Sequence, residues 1–474
     1  MSIGPVGMKI SLPLIRNALS EFANRQPWMA VSLILIALIV LNTGNEALLN
    51  AGFALGTPHH SFPISLFPGS PNFHPNGPAG SMPYTILFLV LLFFAVRSVR
   101  RLAVPWVLVL SSALVLSGNL IQGDFSSAFV RPFTATTVQY YHDAARVGAP
   151  LLWLRSFNES QVHLLCHSRT HPPFAVLIHS VFLSLGGITG LSCAFVVLSL
   201  TQIPLFYVTA RALLLHHCED GRSAKDAAKA LTLVYSVLPA VNIYSVICLD
   251  ALIAVAFLIA LLGLVLTDRK LNVPNVAILT AGFSLANALT FGGTFLIAVL
   301  GIVGLYRAVR SRSYNLLIGS LATFSFGILL IVAAHRFFQY DHLRAFFTAA
   351  RLENPDGFRL LSDPIGYLGT RVEGLAEILL FLGVGVLGIL MREFPRVMHA
   401  DGRIGLLSVS GIVVFLLMLA SGAFPTGETA RCCLFIYPYL LICGSRSSFS
   451  VLRDMAVWAG IQTAFMQTIG NYFW

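Results

Sequence analysis

Charge is what this sequence has least of: 11% of its 474 residues are Asp, Glu, Lys or Arg, where an ordinary globular domain carries about 25%. So few ionisable groups cannot cover a water-facing surface of normal size, which excludes one large soluble domain. Acidic residues are scarcer still, 20 against 30 Lys and Arg, leaving a formal charge of +10. No zinc module or aromatic-interleaved basic patch accompanies that charge, so no nucleic acid is implied as a partner. Cysteine is sparse as well, with seven in the chain. Cys193, Cys248 and Cys443 sit in apolar runs, Cys432 and Cys433 are adjacent, Cys166 is in a loop and Cys218 in a basic turn. They show neither metal-ligand spacing nor a disulfide framework. Barrel-like alternation is also missing, so helices must satisfy the backbone in lipid.

What the chain has in abundance is hydrophobic residues, 56% of the total. Apolar segments fall near 28–47, 84–97, 103–120, 173–208, 231–266, 275–306, 316–334, 374–391, 404–422, 432–445 and 455–470. A hydrocarbon core about 30 Å thick needs about 20 such residues per helix. The fold class is therefore an all-α polytopic membrane protein, with about 11 to 14 transmembrane helices once the longest runs are folded back. The run 231–266 reads as a hairpin, 275–306 breaks at Gly292-Gly293, and Gly186-Gly187 lets the first part of 173–208 lie obliquely or re-enter. Lys9, Arg16 and Arg25 precede the run from Trp28 to Leu41. No small-residue cleavage pattern follows it, so it reads as a retained first helix.

Short connections hold Arg97, Arg100 and Arg101, then Arg211, Arg222, Lys225 and Lys229, then Arg269 and Lys270, then Arg307, Arg310 and Arg312, then Arg392, Arg396 and Arg403. Positive charge in short loops marks the cytoplasmic side. Segments 48–83, 121–172, 335–373 and 423–431 are left on the outer side, and Val138 to Phe157 reads as one interfacial helix. With no retrieval tail in view, a prokaryotic plasma (inner) membrane is the expected location.

The candidate chemistry gathers on that outer side. Asp124 follows the helix 103–120, in Gly123-Asp124-Phe125; Tyr140-Tyr141-His142-Asp143-Ala144 comes next, with Arg146 one turn on. His167-Ser168-Arg169-Thr170-His171-Pro172-Pro173 closes the segment, its prolines suited to a helix start. A carboxylate here can take a proton from a nucleophile, and Arg or His can offset charge on a leaving phosphate. The alternative for Asp124 and Asp143 is a helix cap or a surface residue. His335 and Arg336 begin the next outer segment, followed by Asp341, His342 and Arg344. Glu428 and Arg431 lie three apart in 426–431, able to share a face. Asp250 lies inside an apolar run, where a charge is costly and usually paired or functional.

This ordered set resembles the GT-C superfamily of membrane glycosyltransferases. Tyr140 to Ala144 looks like the family's Tyr-x-x-Asp-Ala segment, and His171-Pro172-Pro173 like its His-Pro-Pro helix start. Leu205 to Arg211 is similar to a Leu-Leu-Tyr-Leu-Leu-Ala-Arg helix ending. Leu249-Asp250-Ala251 and Gly427-Glu428-Thr429-Ala430-Arg431 resemble later family motifs. The likeness runs from about residue 100 to 450, which divides the chain into 1–100, with an added transmembrane hairpin, and a core of 101–474 including outer loops 121–172 and 335–373.

The resemblance implies an outward-facing cavity for a polyprenyl-phosphate sugar donor, membrane lipids as surroundings, and an acidic residue that activates the acceptor. Asp143 and Asp124 are then the candidate catalytic residues, with Asp143 the first choice as base. Arg169, His171, Arg146, Asp250, His335, Arg336, Glu428 and Arg431 are candidates for substrate binding. Relatives often carry two adjacent acids where this chain has His142-Asp143, which leaves a divalent cation (Mg or Mn) open as cofactor. A lipid-linked sugar flippase or transporter, and an O-antigen polymerase or ligase, are the competing readings.

Overall fold

Proline sets where many of the helices begin. It takes the first or second position of helices starting at Val104, Pro150, Pro173, Pro239, Val273 and Tyr437. There its missing amide costs nothing and its fixed φ favours the helix. The computed structural model of the chain describes residues 77–215, 221–355, 357–400, 402–422, 429–470 and 472, and every regular element among them is helical.

The first half runs α1 (Gly77–Ser98), α2 (Val104–Leu120), the short α3 (Tyr140–Ala144), α4 (Pro150–Arg155), α5 (Phe157–Ser160) and α6 (Cys166–Arg169). After these come α7 (Pro173–Leu200), α8 (Gln202–Leu214), α9 (Gly221–Val237), α10 (Pro239–Tyr244) and α11 (Leu249–Arg269). The second half runs α12 (Val273–Leu289), α13 (Thr294–Ser311), α14 (Asn315–Phe338), α15 (His342–Glu353), α16 (Arg359–Ser362) and α17 (Pro364–Leu382). It ends with α18 (Val384–Ala400), α19 (Gly402–Ala420), α20 (Thr429–Cys432), α21 (Tyr437–Leu441) and α22 (Phe449–Ile469).

Six helical stretches among the described residues are long and apolar enough to cross a bilayer: α1, the α7–α8 rod, α11, α13 with the turn before it, α14 and α19. The chain is an integral, all-α polytopic membrane protein. Helices α2 and α12 and the stretch Leu434–Arg446 are apolar but shorter, and α17 and α18 form a pair bent by 95°. That bend sits at Gly383, whose φ of 93° is a left-handed conformation natural to glycine. The expected helix at 28–47, the first arm of the N-terminal hairpin, lies outside the described residues, as does the outer segment up to residue 76, whereas the second arm, 84–97, falls within α1.

Helix α11 organises the rest. It is buried on nearly every side and packs against α12, α8, α7 and α14. Its approach to α12 depends on glycine: a Cβ on Gly263 would fall on the backbone of Leu279, and one on Gly282 on that of Ala260. Small residues at such a crossing replace a hydrophobic driving force that lipid cannot supply. From Asp250 to Asp268, α11 rises about 27 Å, close to the hydrocarbon thickness. At one end Asp268 meets Arg307 at 2.9 Å and Arg403 at 3.9 Å. At the other, Asp250 meets Arg431 at 3.3 Å.

Segments 121–172 and 335–373 lie together at the Asp250 end. The Asn158 side-chain amide donates to the Asp341 carbonyl at 2.8 Å, and its Oδ1 accepts from the Asp341 amide at 2.8 Å. Gln161 Nε2 donates to the Ala345 carbonyl at 2.9 Å. The basic turn carrying Arg307 therefore stands at the opposite end of the molecule from both segments, as charge placement predicts.

Several expectations change in detail. The interfacial helix over Val138 to Phe157 is instead α3, α4 and the start of α5, because Gly148 and Pro150 interrupt it. The segment 335–373 is not a loop: α14 continues to Phe338, and α15 to α17 follow. The run 231–266 does turn, through α10, and 275–306 breaks at a tight turn over Phe291–Gly293. The run 173–208 is continuous but kinked at Gly186 and Gly187, the latter with φ of 59°.

Candidate functional site

A cavity of about 800 Å³ opens at the Asp250 end of α11. Its floor comes from chain turns. Ile243, Tyr244 and Ile247 precede α11; Thr290, Phe291 and Gly292 link α12 to α13. The Thr290 hydroxyl accepts from the Gly292 amide at 3.0 Å, which holds that turn. Tyr140, His167 and His171 supply one wall, and Phe346, Ala349, Ala350 and Glu353 of α15 supply another. Arg431, Cys432 and Phe435 close the far side with Met418 of α19.

The Asp250–Arg431 pair is the electrostatic centre. Asp250 stands in the first turn of α11, where the helix dipole favours negative charge. Both side chains are largely withdrawn from solvent, 14% and 12% exposed, with Arg431 Nε 3.3 Å from Asp250 Oδ2. A desolvated pair of this kind is strongly destabilised when one partner is removed.

The aromatic wall is ordered around Tyr140. His167 stacks on its ring at 5.8 Å, His179 at 5.1 Å, and His171 meets it edge-on at 5.5 Å. His171 Nδ1 lies 3.1 Å from the His167 carbonyl. A carbonyl only accepts, so Nδ1 carries the proton and Nε2 keeps its lone pair. Burial, with His167 beside it, pushes the His171 pKa down to about 3, so the ring is neutral at pH 7.

Of the residues singled out in the sequence, Asp250, His171 and Arg431 line the cavity. Asp143 does not: its side chain is 5% exposed, Oδ2 accepts from the Leu165 amide at 2.9 Å, and Oδ1 lies 3.9 Å from the exposed Arg146. It ties α3 to the start of α6. Asp124 is exposed and accepts from the Ser127 amide at 2.8 Å. Those bonds from Ser127 hold its pKa below the usual carboxylate range, the geometry of a helix cap. Arg169 ends α6, half-buried, and His335 and Arg336 stand exposed in the last turn of α14. Glu428 lies outside the described residues.

Glu353 was missed in the sequence. Its signal was the spacing 346, 349, 350, 353, which places four residues on one face of α15. Asp250 and Glu353 are the carboxylates among the described lining residues. No group of three or more His, Cys, Asp or Glu side chains among the described residues converges as a metal site. The arrangement can take a proton at a carboxylate, neutralise an anion at Arg431 and accommodate apolar groups against Ile253, Phe346 and Phe435. Comparison with family models and with curated proteins finds no match for the chain.

Proposed function

We propose that the chain is a membrane glycosyltransferase resembling the GT-C superfamily, transferring a sugar from a polyprenyl-phosphate donor to an acceptor hydroxyl or amide. One observation carries this reading: a carboxylate–guanidinium pair, Asp250–Arg431, set in a cavity whose other walls are largely apolar. A purely polar substrate would gain little from those walls, whereas an amphiphilic phosphate uses both. The GT-C fold and a span count of about 11 to 14 belong to the same proposal.

In the reaction, a carboxylate takes the acceptor proton while the acceptor heteroatom attacks the anomeric carbon. The bond from that carbon to the phosphate oxygen breaks, its electron pair leaves with polyprenyl phosphate, and the anomeric centre inverts. Arg431 offsets the charge growing on the departing phosphate, and Asp250 holds Arg431 in place. Glu353, at the cavity rim, takes the role of base that the sequence assigned to Asp143, because Asp143 and Asp124 are engaged with backbone amides away from the cavity. The cavity stands at the end opposite the basic turns, which supports an extracytoplasmic active site in a cell membrane.

The test is a panel of radiolabelled polyprenyl-phosphate sugars offered to purified protein in proteoliposomes with membrane-extract acceptors. Label transferred with release of polyprenyl phosphate supports the reading; no donor bound and no label moved by any of the panel refutes it. A polymerase or ligase working through arginine and histidine predicts instead that Glu353→Gln retains turnover.

A further inference from the structure

The outer surface around α15 is not explained by the cavity. One face of this helix lines the cavity, while Leu343 and Phe347 on another face are each 59% exposed. Beside it, α4 exposes Leu151 and Leu152, and the last turn of α14 exposes Phe337. These pieces share one small core, in which Phe157, Tyr340 and Ala345 pack with Trp153, Leu154 and Ala334. They therefore form one surface rather than three loose ones.

Charge follows the same surface. Arg155, Arg336 and Arg351 are exposed and meet no carboxylate within ion-pair distance among the described residues. Of the acids nearby, Glu159 pairs with Arg344 at 3.1 Å, Asp363 pairs with Arg359 at 2.8 Å, Asp341 caps α15, and Glu353 lines the cavity on the other face of the helix. An apolar set edged by unmatched arginines, continuous with the exposed apolar flank of α14, is what an interfacial helix presents to a leaflet.

We propose that α4, the end of α14 and α15 form a docking surface for an anionic phospholipid leaflet. Arg155, Arg336 and Arg351 bind headgroup phosphates, and Leu151, Leu152, Leu343 and Phe347 sit at the acyl boundary. Charge complementarity selects this occupant, since negative lipid surfaces attract basic segments beside a span. A helix held in the leaflet on one face and lining the cavity on the other makes leaflet charge a determinant of how firmly that wall is closed. This surface does not depend on sugar transfer and is tested without activity.

The experiment is amide hydrogen exchange of the full chain in nanodiscs of phosphatidylcholine alone or mixed with phosphatidylglycerol. Amides of α15 should exchange about tenfold more slowly in the mixed bilayer, with α11 unchanged between the two. The triple variant Arg155→Gln/Arg336→Gln/Arg351→Gln should lose that difference while α11 stays protected. Equal α15 exchange of the wild type in both bilayers overturns the proposal whether or not the variant folds. So does a difference that survives in a folded triple variant, or full protection by inorganic phosphate in phosphatidylcholine alone.

Discussion

Arg431 Nε lies 3.3 Å from Asp250 Oδ2, joining two residues 181 positions apart at the head of the most buried of the candidate membrane spans among the described residues. Each charge is withdrawn from water, so each depends on the other. Asp250→Asn should destabilise the protein by about 1.5–3 kcal/mol, the scale of a lost bond between charged groups, because it removes the carboxylate that faces the Arg431 guanidinium at 3.3 Å. Combining it with Arg431→Gln should cost less than the sum of the two single losses, since both substitutions break the same ion pair. Thermal unfolding in detergent micelles checks this; additive losses in the double variant would show that the pair is not coupled.

His171 makes stability depend on acid. Its folded pKa of about 3 lies below the unfolded value of about 6.5. The unfolded chain therefore takes up a proton, between those two values, that the folded chain refuses. Stability is lost as pH falls from about 6.5 toward 3. His171→Gln removes this contribution, so its melting temperature should fall less steeply than the wild type's over that window. Parallel curves would show that His171 does not titrate on unfolding.

The α11–α12 crossing is the packing prediction. Gly282→Val adds branched carbon where the backbone of Ala260 already stands, and overpacking costs about 1–3 kcal/mol or more. A matched substitution at Gly301, where an added side chain meets open space, should change little. Melting temperatures of the two variants in the same micelle compare them directly.

Two cavity thiols report on occupancy. Cys248 and Cys432 line the cavity, whereas Cys166 is exposed at its edge. Burial, with the Asp250 carboxylate nearby, pushes the Cys248 thiol up to about 12, so it should react slowly with maleimide at neutral pH. Cys166 should react first. A bound polyprenyl phosphate should slow labelling of Cys432 several-fold and leave Cys193, on α7, unaffected. Mass spectrometry of the labelled peptides reads both rates.

Much of this architecture is legible in the sequence, and the limits have physical causes. Scarce charge and repeated apolar runs suffice for a helical membrane protein. Gly292-Gly293 and Gly186-Gly187 mark a real break and a real kink because the backbone there departs from the regular helix. Asp250 stands out because charge among apolar neighbours needs a partner, and Arg431 because it lies three residues after Glu428 in a polar segment between two spans. The place of Asp143 away from the cavity is not legible, because its partner is an amide 22 residues away, which local spacing does not reveal. Glu353 is overlooked because its segment reads as a loop, although its face-forming spacing was present. The division of 231–266 into α9, α10 and α11 depends on packing around Pro239 and Asn242, whose side chain donates to the Leu114 and Ser236 carbonyls.

The most direct test is single-turnover sugar transfer by Glu353→Gln, with donor binding measured on the same sample and Asp143→Asn and Asp124→Asn beside it. Glu353→Gln should bind the polyprenyl-phosphate sugar but transfer it at least about a hundredfold more slowly, the scale of a lost general base. Both aspartate variants, where folded, should keep most of their transfer. Unimpaired transfer by Glu353→Gln, with transfer abolished in a folded Asp143→Asn or Asp124→Asn that still binds donor, would contradict Glu353 as base.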